Sequence, residues 1–200
     1  MIPADIDQDT AVISLFPKSV YCRSNLLLSE LDNISSSIEN LKTDTVHTNQ
    51  LYVSSSHLTN DQLHTLPDFK LVSDTILFEC KRFASILGYT PDQTDKLNFI
   101  NMWYNKSVQA EFNFPHTHNG SLFSGVIYLK AVEENIIAFH DFNDISPEPH
   151  DPNSLSFRTA YLRCIPGTLY IFKSDLVHSN PRQNGEGTKL IISFNIRLFD

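Results

Sequence analysis

The hydrophobic pattern of the chain changes character about halfway along its length. Before residue 97, apolar residues recur every three or four positions in two stretches, Ser24–Leu41 and Asp74–Leu87. This period predicts two amphipathic helices. Asp74 is a candidate cap for the start of the second helix and Gly88 for its end.

From residue 97 onwards the pattern predicts short strands, because runs rich in β-branched and aromatic residues alternate with turn residues. The predicted strands are Leu97–Tyr104, Val108–Phe114, Leu122–Ala131, Ile136–Phe142, Leu155–Arg163, Thr168–Lys173 and Lys189–Leu198. So many short strands in about half of the chain favour a sandwich or barrel. We therefore expect a mainly β fold with N-terminal helices (α+β) and a jelly-roll core, the cupin-like double-stranded β-helix.

Three further segments complete the predicted organisation. Ala11–Cys22 is apolar but contains Pro17, which favours a short edge strand. Asp44–Asn60 is polar and is expected to be a loop, and Asn143–Ser154 is rich in Asp, Pro and Asn and long enough for a lid or substrate loop. We expect one integrated domain, with residues 1–96 as a strand and helices packed on a catalytic barrel formed by residues 97–200.

Composition and charge exclude several classes of function. Hydrophobic residues make up 41% and charged residues 19% of the 200 positions, which is ordinary for a globular domain. The net charge is -8 without a Lys/Arg cluster, which argues against nucleic acid and anionic membrane as partners. The three cysteines form no CxxC pair. Without a basic N-terminal region or a long apolar run, a cytoplasmic protein is expected.

Three of the eight histidines stand in a pattern that suits a metal ion. His116 and His118 lie two residues apart between predicted strands, so both imidazoles can project on the same side of an extended chain. His178 follows an apolar strand and a turn, and a barrel can bring it beside the pair. Neutral imidazole suits iron, zinc, copper or nickel. The others lack such a context, although His140 stands beside Asp141.

Several short motifs resemble the iron(II) and 2-oxoglutarate-dependent oxygenase superfamily, in particular a bacterial and phage group within it. The matching stretches are Asn101-Met102-Trp103-Tyr104-Asn105, Phe114-Pro115-His116-Thr117-His118, Ser124-Gly125-Val126-Ile127-Tyr128-Leu129, Ile165-Pro166-Gly167-Thr168-Leu169-Tyr170-Ile171-Phe172, Val177-His178 and Ser193-Phe194-Asn195. Near the start, Leu15-Phe16-Pro17 also resembles that group. The resemblance thus extends over most of the chain, in the family's order.

The resemblance implies Fe(II) as the metal and 2-oxoglutarate as a cosubstrate. By the family's pattern of two histidines and a carboxylate, His116 is the first ligand and His178 the last. His118 occupies the position where a carboxylate is usual. The third ligand is therefore His118 or, alternatively, a carboxylate such as Asp141.

The family also implies a cation that binds the far carboxylate of 2-oxoglutarate. Lys189, eleven residues after His178, resembles the position where the family usually has arginine, and Tyr128 resembles a tyrosine that donates a hydrogen bond there. Lys189 could instead be a surface lysine. Arg182 is an alternative anchor, whereas Arg197 lies about 26 Å further along by strand rise.

The resemblance further places Asn101, Trp103, Asn105 and Asn113 near the site, where the asparagines could bind substrate or satisfy strand edges and Trp103 could belong to the core. The implied activity is a dioxygenase that hydroxylates a small molecule or a protein side chain and releases succinate and CO2. Two alternatives stay open: a three-histidine cupin enzyme that does not use 2-oxoglutarate, and a non-catalytic jelly-roll binding module. A homodimer through an edge strand is also compatible with the sequence.

Overall fold

The fold is a double-stranded β-helix with helices packed against one of its sheets, as the sequence predicts. The computed structural model describes residues 18–41, 46–48, 51–133, 135–142, 147, 149–152, 156–183 and 185–199. None of the helices within these ranges combines the length and the apolar character needed to cross a bilayer.

Eleven strands form one antiparallel order, β1-β9-β6-β11-β4-β3-β5-β10-β7-β8, with β2 paired to β3. The strands are β1 Val20–Arg23, β2 Val46–Thr48, β3 Leu51–Ser55, β4 Leu97–Ser107, β5 Phe112–His116, β6 Phe123–Lys130, β7 Ile136–His140, β8 Thr159–Arg163, β9 Leu169–Lys173, β10 Val177–Asn180 and β11 Lys189–Leu198. β9-β6-β11-β4 form one side of the jelly roll and β5-β10-β7-β8 the other. β3 joins the two sides by pairing with both β4 and β5.

The helices lie on the outer face of the first sheet. They are α1 Leu31–Asn40, α2 Lys70–Ile86 and α3 Pro91–Asp95, with two short 3-10 turns at Leu63–Thr65 and Pro67–Phe69. One face of α2 buries Ile76, Cys80 and Phe83 in a core shared with the sheet. A second apolar cluster, which includes Phe139 and Phe172, fills the barrel interior.

Both predicted helices exist, but their starts differ from the prediction. α1 begins seven residues later than expected, because residues 24–30 form turns in which Asn25 and Leu27 have positive φ angles of 60° and 53°. α2 begins at Lys70 instead of residue 74, so Asp74 lies inside the helix, paired with Lys70, and does not cap it. Gly88 does follow the end of α2, with a φ of 91°.

The strands differ from the prediction at several places: β4 extends to Ser107 instead of residue 104, and β8 begins at Thr159 instead of residue 155. Asp44–Asn60 is not a loop, because it contains β2 and β3. The predicted strand Val108–Phe114 is displaced towards its end, with β5 reaching His116. β10 was not predicted as a strand. Of the predicted Asn143–Ser154 loop only residues 147 and 149–152 are described, and residues 11–17 of the first predicted strand lie outside the described ranges.

Candidate metal centre

The three histidines predicted as metal ligands lie side by side at one end of the barrel. His116 ends β5 and His178 is the second residue of β10, and the two are directly paired in the sheet. His118 follows β5, where its backbone N–H donates to the carbonyl of Ser174 at 2.9 Å. The ring centroid of His116 is 4.4 Å from that of His178 and 5.1 Å from that of His118.

Hydrogen bonds to the backbone orient two of the three rings. The Nδ1 of His116 is 2.7 Å from the carbonyl of Phe114, and the Nδ1 of His178 is 3.0 Å from the carbonyl of Leu176. A carbonyl only accepts, so both Nδ1 atoms carry the proton and both Nε2 atoms are left with a free lone pair. That tautomer suits metal coordination through Nε2.

The spacing and the charge state of the cluster also suit a cation. One nitrogen from each ring lies within 4.8 Å of the others. Nitrogens bound to one metal at about 2.1 Å are at most about 4.2 Å apart, so only a small side-chain adjustment is needed. Burial, reinforced by neighbouring imidazoles, lowers the pKa of His118 to about 4 and that of His178 well below 6.5. Both rings are therefore neutral near pH 7.

The other candidates for the third ligand lie elsewhere. Asp141 forms an ion pair with Lys18 at 2.9 Å. His140 is not part of the cluster, and its Nε2 lies 2.8 Å from the Ser179 hydroxyl. Within the described ranges, the three histidines are the only group of three or more His, Cys, Asp or Glu side chains that meets the 4.8 Å spacing.

The histidine cluster forms part of the wall of a cavity of about 550 Å³. Trp103, Asn105 and Asn113, which the sequence placed near the site, line this cavity. Trp103 is at the same time a core residue, with only 5% of its surface exposed. The lining residues in the described ranges include no Asp, Glu, Lys or Arg, so the hydrogen-bonding groups of the wall are imidazoles, amides and hydroxyls.

Several lining residues were not predicted as site residues from the sequence, among them His57 and Asn180. His57 packs against Trp103 with the two rings tilted by 46° and 4.5 Å between their centroids, and burial lowers the pKa of His57 below 6.5. Asn180 lies two residues after His178 on the same strand. The alternation of side chains along a strand could have identified Asn180, whereas the sequence around His57 carries no comparable signal.

Lys189 is deeply buried behind the cavity wall. Only 3% of its surface is exposed, and its ammonium donates one long hydrogen bond, 3.4 Å to Oδ1 of Asn180. Burial lowers the pKa of Lys189, although Cys164 and Glu111 oppose this effect. The barrel thus holds a cationic group that no described carboxylate contacts as an ion pair, an arrangement that favours binding of an anion.

The hydroxyl of Tyr128 is also buried; no described oxygen or nitrogen pairs with it, and its polar neighbour is the Cys164 thiol. Burial raises the pKa of Tyr128 well above 10, so the phenol is a neutral donor. The Cys164 thiol lies in the same apolar cluster and interacts electrostatically with both Tyr128 and Lys189. By contrast, Arg182 is exposed and Arg197 lies over the ring of Phe199, 4.3 Å from its centroid.

The sequence also matches the model of a known protein family. Residues 101–195 match the model of the family described as "Putative 2OG-Fe(II) oxygenase". These residues include every proposed metal ligand, Tyr128 and Lys189. No curated protein sequence matches significantly.

Solved structures share the fold at low sequence identity. HygX from Streptomyces hygroscopicus, crystallised with nickel and 2-oxoglutarate, is 12% identical with a TM-score of 0.64, over 90% of this chain and 83% of that one. An oxidoreductase of the 2OG-Fe(II) oxygenase family from Burkholderia pseudomallei is 14% identical with a TM-score of 0.62, over 89% and 84% of the two chains. The viral collagen prolyl hydroxylase of Paramecium bursaria Chlorella virus-1, in complex with 2-oxoglutarate, is 16% identical with a TM-score of 0.58, over 90% and 96%.

Proposed function

We propose that this chain, whose residues 101–195 match a 2-oxoglutarate and iron(II) oxygenase family, is a dioxygenase that hydroxylates a substrate bound in the cavity beside its three histidines. The proposal rests on the convergence of three imidazoles on one cavity and on a buried lysine that donates to Asn180 in the wall of that cavity. In such a reaction dioxygen supplies one oxygen atom to succinate and one to the product, and 2-oxoglutarate loses CO2.

His116, His118 and His178 would hold Fe(II) through one nitrogen each. The backbone carbonyls that accept from two of the Nδ1 atoms fix the ring orientation before the metal binds. Three imidazole ligands give the site one negative charge fewer than two histidines and a carboxylate would. The bound iron would supply the activation of dioxygen, which side chains alone do not provide.

Lys189 would bind the far carboxylate of 2-oxoglutarate, and Tyr128 would donate a second hydrogen bond to it. The buried ammonium and the buried phenol are both donors, which is what a carboxylate requires. Lysine provides a point charge and not the two parallel bonds of arginine. The Asn180 amide, which lines the cavity and accepts from Lys189, connects this pair to the metal end of the cavity.

The part of the substrate that enters the cavity is proposed to be uncharged. The described lining offers amides, hydroxyls and aromatic rings but no carboxylate, ammonium or guanidinium group. A small molecule or a protein side chain could meet this requirement. A charged group would have no counterion in the described wall and would lose its hydration.

A second candidate function is that of a three-histidine metalloenzyme that does not use 2-oxoglutarate. The absence of a carboxylate from the described histidine cluster favours it. The two candidates differ in whether the metal-loaded protein binds 2-oxoglutarate, and this difference can be measured without knowing the substrate.

The test is an anaerobic titration of the Fe(II)-loaded protein with 2-oxoglutarate, followed by the visible metal-to-ligand charge-transfer absorption of the chelate. We expect a band in the wild type and a weaker response in Lys189→Ala. Lys130→Ala is the matched control, since Lys130 lies on β6 but pairs with Glu39 at the surface. Bound iron without any band would favour the second candidate, and failure to bind iron would refute both.

A further inference from the structure

A chain of hydrogen-bonded polar side chains leads to the cavity that holds the three histidines, and its member Ser124 belongs to the cavity lining. Asn101 donates to Asp61 at 3.4 Å, and Asn195 donates to Asn101 at 2.9 Å. Ser124 donates to Oδ1 of Asn195 at 2.7 Å, and the hydroxyls of Ser124 and Ser174 are 2.8 Å apart. Because the single proton of the Ser124 hydroxyl is used towards Asn195, Ser174 must be the donor in the last bond.

The inner half of this chain is almost completely buried. Ser124 is 1%, Ser174 2% and Asn195 5% exposed. A buried hydroxyl or amide left without its partner costs about 1–3 kcal/mol, so these bonds strongly favour a single relative arrangement of the three residues. The chain therefore fixes the turn that contains Ser174 against β6 and β11.

That turn, residues 173–176, contacts two of the proposed metal ligands. The carbonyl of Ser174 accepts from the backbone N–H of His118 at 2.9 Å. The carbonyl of Leu176, two residues later, is 3.0 Å from Nδ1 of His178. The position of the turn thus sets the backbone of one ligand and the ring of another.

His118 depends most on this support. The rings of His116 and His178 are each oriented by a hydrogen bond, but the ring of His118 has none to any described residue. It is held by its backbone bond to Ser174 and by packing against Trp103, with 5.9 Å between ring centroids. A displacement of the turn would therefore move His118 relative to the other two ligands.

We propose that Ser124 and Asn195 are positioning residues that, through the Ser174 turn, hold His118 and His178 in the geometry required for metal binding. This inference rests on the proposed metal site but not on 2-oxoglutarate or on turnover. Neither residue needs to touch the metal. Their effect passes through two hydrogen bonds and the main chain of one turn.

The experiment measures Co(II) binding to the full-length protein by its ligand-field absorption, with affinities taken from competition with a chelator. We expect Ser124→Ala and Asn195→Ala to weaken Co(II) binding by about tenfold, a typical effect of removing a group that orients a ligand. Ser124→Thr, which keeps the hydroxyl, should restore most of the affinity. The shape of the Co(II) spectrum should change in the alanine variants, since one ligand is displaced.

Ser35→Ala is the matched control for a general loss of stability. Ser35 is also 1% exposed and donates to the carbonyl of Leu31 at 2.7 Å, but it lies on α1, outside the cavity lining. It should bind Co(II) like the wild type, whatever its melting temperature. Wild-type affinity and spectrum in Ser124→Ala, equal weakening in Ser35→Ala, or no recovery in Ser124→Thr would each overturn the inference. A wild type that binds no Co(II) would refute the proposed metal site itself.

Discussion

The side chains on the two faces of β11 have different roles. The outward-facing residues Leu190, Ile192, Phe194 and Ile196 pack into the core beneath the helices. The inward-facing residues of the same strand are Lys189, Ile191, Ser193 and Asn195, of which only one is apolar. Seven of these eight residues are classed as buried, so burial alone does not distinguish a stabilising position from a functional one.

This difference shows that stability and chemistry depend on opposite faces of the same strand. The outer face gains free energy from apolar burial, whereas the inner face carries buried polar groups that cost free energy unless they have partners. Because side chains alternate along a strand, a slip of one residue in the β11 register would exchange the two faces. The extensive pairing of β11 with β4 and β6 opposes such a slip.

The largest expected effect comes from removing a metal ligand, because this changes the site while leaving the apolar core intact. We expect His116→Ala or His178→Ala to abolish Fe(II) binding, because two imidazoles cannot retain the ion. The free energy of unfolding of the metal-free protein should change far less than its affinity for the metal. Metal content after gel filtration and denaturant unfolding measure the two effects. His140→Ala, on the neighbouring strand β7 but outside the cluster, is the control. Unchanged iron affinity in His178→Ala would show that the assigned ligand set is wrong.

On the outer face, we expect Phe194→Ala to lower the free energy of unfolding by about 3–5 kcal/mol, since it empties a fully buried position. Its folded fraction should still bind one metal ion per chain. Urea unfolding and metal stoichiometry test these statements together. A loss of metal binding without a loss of stability would contradict the division between the faces.

Replacing Lys189 should have the opposite effect to Phe194→Ala: it should weaken ligand binding without lowering stability. We expect Lys189→Ala or Lys189→Met to raise the 2-oxoglutarate concentration needed for binding by roughly 10–100-fold, because a charge-assisted hydrogen bond is lost. Metal binding should persist. The stability of the protein should stay constant or rise, most clearly in the isosteric Lys189→Met, because a buried cation with one long hydrogen bond is removed. A large loss of stability would indicate that Lys189 is structural.

The smallest expected effect concerns pH on the helix side of the fold. Burial lowers the pKa of His64 below 6.5, against a weaker opposing effect of Asp61. The unfolded chain therefore binds the proton more readily, and the stability linked to His64 is complete above pH 6.5 and declines as the pH falls. His64 stacks on Phe99 with 4.9 Å between centroids, so His64→Phe keeps a ring there without a titrating group. Urea unfolding at pH 7.5 and 5.5 should show a smaller decline in the variant than in the wild type. An equal decline would assign the pH effect to other groups.

The sequence predicted the strands whose side chains are apolar on at least one face, because hydrophobic alternation marks such strands. β11 was predicted with the bounds that the structure has, Lys189–Leu198. β10 was missed because His178, Ser179 and Asn180 are polar, although all three are buried in the barrel. β3 was missed for a related reason, since its pairing with β4 and β5 joins segments distant in sequence and leaves no local pattern.

The grouping of His116, His118 and His178 could be anticipated because the first two share a short motif and the third follows a predicted strand. The part of the cavity wall formed by His57 could not be anticipated, because it requires the packing of His57 against Trp103, 46 positions away. The hydrogen-bonded chain that leads to the cavity could likewise not be predicted from the sequence. Its members come from five separate segments, and serine and asparagine are more often exposed than buried.

Trp103 is the only tryptophan among the 200 residues. Its indole lies in the cavity wall, against His57 and near His118. The tryptophan fluorescence of the protein therefore originates at a single point within the site. A paramagnetic ion bound by the three histidines would quench that emission, and a ligand entering the cavity would shift it. The chain thus carries its own optical reporter of metal loading and of cavity occupancy.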